Sequence, residues 1–256
     1  MLFISRPWVI THHLWITKDK LNGRLKRLIS RWATQVSVSN AIAADFQQQS
    51  IVINSPYDED IFQEIPGLRR EKELVFLGRF VPEKGLPVLL HALVLLRKDG
   101  LQPNLTVVGK GPKEKAWRIL TDELGLSTQV KFVGVKREYE LAEILNSHKV
   151  LVVPSVWDEP FGVVALEGMA CGCIVVGSEG GGFKEAIGPG GLTFPNGDAE
   201  ALAACIRKAL FDQQIVSRCL SDSKTHLKKC TGKAIADRYL DLFHDVIKTG
   251  KRGDAS

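Results

Sequence analysis

Two glutamates, Glu159 and Glu167, stand on either side of what reads as the start of a helix, with seven residues between them, in the stretch Asp158-Glu159-Pro160-Phe161-Gly162-Val163-Val164-Ala165-Leu166-Glu167-Gly168-Met169-Ala170-Cys171-Gly172. Pro160 suits a first helical position, where the missing backbone donor is no loss. Phe161, Val164, Ala165, Leu166 and Met169 supply an apolar stripe, and Gly172 suits the closing position. Such a helix opens on unpaired backbone N–H groups around Gly162, Val163 and Val164, and its positive dipole end suits a phosphate. Glu167 falls about two turns into the helix. Acids near a helix ordinarily cap it or face water, but Leu166, Gly168 and Met169 around Glu167 make a solvated face a poor fit. An anion site flanked by two hydroxyl-accepting carboxylates is what a nucleotide diphosphate-sugar requires.

The elements that must position these groups alternate regularly from Glu73 onward, the mark of a parallel sheet with helices on both faces. Apolar strand patterns lie at 74–77, 105–108, 130–133, 150–153, 173–176 and 191–194, and helical patterns follow at 86–98, 112–124, 138–146 and 199–211, the last capped by Asp198. Ligands of such sheets sit beyond the carboxyl ends of the strands. Every candidate residue lies at such an end. Arg79 and Lys84, with Gly78 and Gly85, occupy the first strand-to-helix loop, where two cations would neutralise a diphosphate. Two surface cations in water are the plainer alternative. Gly109-Lys110-Gly111-Pro112, Gly134-Val135 and Gly180-Gly181-Gly182 end three further strands.

Residues 1–66 look like the end of a domain rather than a whole one. A short strand pattern at 8–11 runs into His12 and His13, and a helical pattern at 20–31 carries Lys20, Arg24, Lys26, Arg27 and Arg31. A strand at 35–38 follows, then Ser39 as a helix cap before Ala41, and another strand at 51–53. Asp58-Glu59-Asp60 is formally a metal-binding D-x-D, or else an exposed linker between Pro56 and Pro66. A last helical pattern at 234–247 could cross back to the N-terminal part.

Glu-Pro-Phe-Gly with the second glutamate resembles the E-x7-E signature of retaining glycosyltransferases of family 4, and Gly78-Arg79 through Glu83-Lys84-Gly85 resembles that family's "GR…EKG" element. The resemblance covers about residues 7–247. It implies a GT-B type α/β fold, with one complete Rossmann-like parallel-sheet domain plus the C-terminal part of a second. The expected boundaries are 1–66 for a partial acceptor-side domain and linker, 67–230 for the nucleotide-sugar domain, and 231–250 for a helix returning to the N-terminal part. Glu159 would contact hydroxyls of the donor sugar and Glu167 the nucleotide ribose. The backbone at Phe161, Gly162 and Val163 would hold diphosphate or sugar, and Val135 would present its main chain to the base. The threonine-x-histidine spacing favours His13 over His12 as the histidine that family members aim at the reacting sugar. No metal and no cofactor beyond the nucleotide-sugar donor is implied.

Composition reads as a soluble globular protein: 256 residues, 45% hydrophobic, mean hydropathy near zero, and a mild net charge of +5 that does not suggest a nucleic-acid partner. Five cysteines, an odd number with a C-x-C at 171 and 173, read as reduced cytosolic thiols rather than a disulfide framework or zinc site. The N-terminus lacks the pattern of a secretory signal, so a cytoplasmic location is expected. The basic helical pattern at 20–31 is either a surface helix or a peripheral membrane contact, and a sugar or lipid-linked acceptor would suit the latter. Two competing readings remain. One is a non-catalytic nucleotide-sugar-binding remnant, or one half of a split enzyme with a separate chain supplying the missing N-terminal half. The other is a sugar-nucleotide epimerase on the same fold.

Overall fold

The structure, a computed structural model, describes residues 7–16, 28, 30, 32–46 and 49–249. Most of the basic pattern at 20–31 lies outside these residues. The described residues fold into two parallel sheets. Three strands, β1 (Val9–His12), β2 (Thr34–Ser37) and β3 (Ser50–Val52), form the smaller one in that order. The larger sheet has six strands: β4 (Lys72–Leu77), β5 (Leu105–Val108), β6 (Val130–Gly134), β7 (His148–Val153), β8 (Ile174–Ser178) and β9 (Gly191–Phe194). Their spatial order is β6-β5-β4-β7-β8-β9. The chain therefore builds outward from β4 to β6, then returns to the other side of β4 to lay down β7. The β4/β7 boundary is the point where the winding reverses, and ligands of such sheets sit there, beyond the carboxyl ends of the strands.

Alternation along the strands divides the core of the larger sheet into two layers. Leu74 and Phe76 of β4, Val150 and Val152 of β7, and Ile174 and Val176 of β8 pack with α2 (Leu86–Lys98) and α7 (Ala199–Phe211). On the opposite face Val75, Leu151, Val153 and Val175 pack with α4 (Glu138–Ser147), α5 (Val163–Ala170) and α6 (Phe183–Ile187). Burial on both faces explains why these strands read as continuous apolar runs. The helix α3 (Glu114–Glu123) adds Trp117 to the first layer.

In the smaller unit, α1 (Asn40–Asp45) is capped by Ser39, whose side chain accepts from Ile42 N–H. After α8 (Gln213–Leu227), the last helix, α9 (Gly232–Thr249), lies on the three-stranded sheet. Ile235, Leu242 and Val246 bury against Val36 and Ile53. Arg238 donates to the Val52 carbonyl at 2.6 Å, and the Thr11 and Tyr239 hydroxyls are 3.2 Å apart. The Asp58-Glu59-Asp60 segment is occupied with local structure. Asp58 Oδ1 accepts the N–H groups of Asp60 and Ile61, while Glu59 Oε2 accepts from Gly232 N–H at the start of α9. That last bond lowers the Glu59 pKa. No described helix is long and apolar enough to cross a membrane.

Candidate functional site

The reversal between β4 and β7 places Lys84, from the loop after β4, against Glu159, from the loop after β7. Lys84 Nζ lies 2.5 Å from Glu159 Oε1, and the buried Ser155 hydroxyl donates to the same oxygen at 2.6 Å. Glu159 is itself buried, with 7% of its surface exposed. A carboxylate so enclosed is tolerated because it is paired and hydrogen-bonded. Neither of these bonds uses Oε2, which leaves that oxygen as an acceptor. The two loops are also joined by main chain, since Val156 N–H donates to the Glu83 carbonyl at 2.9 Å. Gly85 permits this approach: it has φ +66°, and a Cβ there would stand 1.8 Å from the Pro154 oxygen.

The helix after Glu159 begins later than the sequence pattern suggests. Pro160 is not its first residue; α5 starts at Val163, with Gly162 as N-cap at φ 104°. That left-handed backbone favours glycine, and a Cβ would meet the Phe183 ring at 2.1 Å. Phe161 is buried and anchors the turn. Among the described residues, the N–H groups of Phe161, Gly162, Val163 and Val164 have no acceptor. Four consecutive donors at the positive end of a helix form a cradle for an anion.

The glycine triplet backs this cradle. Gly182 N–H donates to the Glu159 carbonyl at 2.7 Å and Gly180 N–H to Asn196 Oδ1 at 3.0 Å. Side chains at 180, 181 and 182 would strike Asn196, the Glu159 oxygen and the Pro160 oxygen at 2.2, 2.3 and 2.2 Å. All three glycines are thus explained by close packing. The Gly109 turn is likewise tight, with a Cβ falling 1.9 Å from the Gly78 oxygen, and Gly78 N–H donates to Val108.

Glu167, on α5, is partly buried, and its pKa is pushed up to about 7, first by burial and then by the neighbouring Asp58. It therefore changes charge near neutrality. Arg79 is exposed and makes no ion pair among the described residues. Val135 is 40% exposed and follows Gly134, which needs its φ of +74°. His12 ends β1 buried, hydrogen-bonded to Gln35 at 2.7 Å and tilted against the Phe46 ring with centroids 4.1 Å apart. His13 is exposed and bonds to none of the other site residues. Two residues later, Trp15 Nε1 donates to the Asp158 carbonyl at 2.8 Å, tying this segment to the residue before Glu159. A separate open hollow of about 730 Å3, lined by Lys72, Thr106, Gln129 and Lys136 among others, shares no residue with the constellation.

Sequence reasoning missed Ser155 and Asn196 altogether. Ser155 lies two residues beyond the apolar run of β7, after Pro154, so its position at a strand end was the one available signal.

The chain is similar to known proteins in sequence and in fold. The chain is 31% identical to a D-inositol 3-phosphate glycosyltransferase of Corynebacterium jeikeium over 72% of this chain and 46% of that protein. It is 26% identical to a phosphatidyl-myo-inositol mannosyltransferase of Mycobacterium leprae over 97% of this chain and 63% of that protein. The chain thus spans roughly half to two thirds of these relatives' length. Among solved structures, Anabaena HepE in complex with UDP superposes with a TM-score of 0.81 at 22% identity, covering 94% of this chain and 72% of that one. Sucrose-phosphate synthase from Thermosynechococcus elongatus gives 0.79 at 26% identity, covering 94% and 68%. These likenesses establish the GT-B type α/β architecture. Residues 58–226, well over half the chain and spanning the cradle, the Lys84–Glu159 pair and the glycine triplet, match the glycosyl transferases group 1, and the chain belongs to that family.

Proposed function

We propose that the chain binds a nucleoside diphosphate-sugar at the β4/β7 crevice and serves transfer of the sugar to an acceptor hydroxyl with retention of configuration and without a metal. The observation that carries this reading is the run of four unengaged N–H groups, Phe161 to Val164, immediately after the Lys84–Glu159 pair. The amides would receive the diphosphate, with Arg79 and Lys84 adding positive charge. Glu159 Oε2 would accept from a sugar hydroxyl, Glu167 from the ribose, and the main chain at Gly78 and Val135 would border the nucleotide. His13 would face the reacting sugar from the N-terminal side.

In the reaction the bond from C1 to the diphosphate oxygen breaks and a bond from C1 to the acceptor oxygen forms on the same face. The acceptor proton passes to the departing diphosphate, so no side chain must act as base. Charge grows on that leaving group, and fixed amides and cations aimed at it lower the barrier. The same groups supply the charge neutralisation that a divalent ion provides elsewhere.

In a second reading, residues 1–66 would be a fragment of the acceptor-side domain, and a separate polypeptide would supply the rest. Both readings share the donor site, and turnover separates them. The test is incubation with UDP-glucose, GDP-mannose or ADP-glucose in EDTA, with inositol phosphate and phosphatidylinositol as acceptors, followed by NMR of the product anomer. Acceptor-dependent donor loss with retention is expected. Acceptor-independent loss would point to an epimerase or hydrolase, and binding without turnover would favour the split or remnant chain. If the acceptor is a lipid, the basic segment at 20–31 would bind anionic vesicles.

A further inference from the structure

We infer that Ser39, from the three-stranded unit, is a positioning residue for the amide cradle and that Glu185 holds it in place; this rests on reading the cradle as the diphosphate site. Ser39 is fully buried, and its hydroxyl does two things. It accepts Ile42 N–H at 3.1 Å as the cap of α1, and it donates to the Pro160 carbonyl at 2.6 Å. The second bond reaches from one sheet's unit into the loop that carries Glu159.

A planar trans peptide points its C=O and N–H in opposite directions, and no described peptide is cis. Fixing the Pro160 oxygen on Ser39 therefore aims the Phe161 N–H, the first of the four cradle donors, away from Ser39. The preceding carbonyl is held as well, by Gly182 N–H on Glu159 at 2.7 Å. Between these two anchors Pro160 has a locked φ. The run from Glu159 to Phe161 has little freedom left to turn its amide out of the cradle.

Ser39 can approach because residue 182 is glycine; a Cβ there would stand 2.6 Å from both the Cβ and Oγ of Ser39. Three residues on, Glu185 closes the arrangement. Its Oε2 accepts from Asn40 N–H at 3.0 Å and Asn40 Nδ2 at 2.8 Å, and its Oε1 from Ala41 N–H at 3.2 Å. A carboxylate on the first amides of a helix satisfies donors that have no intrahelical partner. One short segment, 182–185, thus grips both the Glu159 loop and the helix that presents Ser39. Diphosphate affinity becomes a report on how the three-stranded unit is docked.

The experiment titrates UDP, GDP and ADP, and the matching monophosphates, into the unaltered chain, Ser39→Ala and Glu185→Gln, with a thermal melt for each. For whichever base binds, Ser39→Ala should weaken the diphosphate about fivefold, the size of one net hydrogen bond, and change the monophosphate less than twofold. Glu185→Gln should shift the same ratio by about twofold. A folded Ser39→Ala with unchanged diphosphate affinity would overturn the inference, and so would equal losses for mono- and diphosphate, which mark a merely structural cap. Should Ser39→Ala fail to fold, the ratio in Glu185→Gln decides by the same criterion. If no diphosphate binds the unaltered chain, the donor-site reading fails and the inference falls with it.

Discussion

The two sheets follow the same parallel geometry but are held by different amounts of core. The six-stranded sheet is sealed by apolar layers on both faces, supplied for the most part by its own helices, with Val38, Ile42 and Phe46 of the smaller unit joining one of them. Among the described residues, the three-stranded sheet meets α9 in a small cluster of five buried apolar residues, Val36, Ile53, Ile235, Leu242 and Val246, three of which come from α9 at the far end of the chain. Along β2, Gln35 and Ser37 alternate with Val36, so its other face presents polar groups, bonded to His12 and Ser50. The larger unit draws most of its cover from its own helices; the smaller depends on a helix that arrives last. The site follows the same division. Its charged pair and its amides belong to the larger unit, and the smaller contributes a hydroxyl that orients them.

The contrast breaks most sharply at Leu242. Leu242→Asp would place an unpaired charge in the small core, at a local cost of about 3 kcal/mol or more. Hydrogen exchange should then accelerate in β1, β2 and β3 while amides of β4, β7 and β8 keep their protection. Equal loss of protection in both sheets would show that the two units unfold together.

A smaller effect sharpens the same comparison within the larger unit, where Glu167 spends stability on a partly buried carboxylate. Its pKa rises from the ordinary 4.5 to about 7. Between those values the folded state binds more protons than the unfolded, so stability falls as pH rises from about 4.5 to about 7, by at most about 3 kcal/mol. Glu167→Gln should therefore raise the melting temperature at pH 8 and leave it nearly unchanged at pH 4.5. A Glu167→Gln gain that is the same at both pH values would rule out this source of strain.

Much of this architecture is legible in local pattern, and what is not has identifiable causes. The four inner strands β5, β4, β7 and β8 announce themselves as apolar runs because both faces are largely buried, and Asp198 marks its helix by capping Ala201 N–H at 2.8 Å. The start of α5 is read three residues early because a proline favours a first turn, whereas here Pro160 is held outside the helix by Ser39 and Gly162 turns left-handed before it. The helix α8 (Gln213–Leu227) leaves little trace because only Cys219, Ser223 and Leu227 are buried along it. Residue pattern places Lys84 and Glu159 each at a strand end. Their 2.5 Å contact follows only from β4 and β7 being neighbours, a matter of strand order that no local periodicity encodes. Hydroxyls such as Ser155 and Ser39 act through single bonds and have no periodic signature.

The central claim is that this chain carries a working site for a nucleoside diphosphate, and calorimetric titration with UDP, GDP and ADP tests it most directly when Lys84→Ala is measured alongside. One of the three should bind the unaltered chain, and Lys84→Ala, which removes a charge-assisted contact of about 1.5–3 kcal/mol, should lose roughly tenfold or more of that affinity. Absence of binding by all three, or equal binding by Lys84→Ala, would contradict the account.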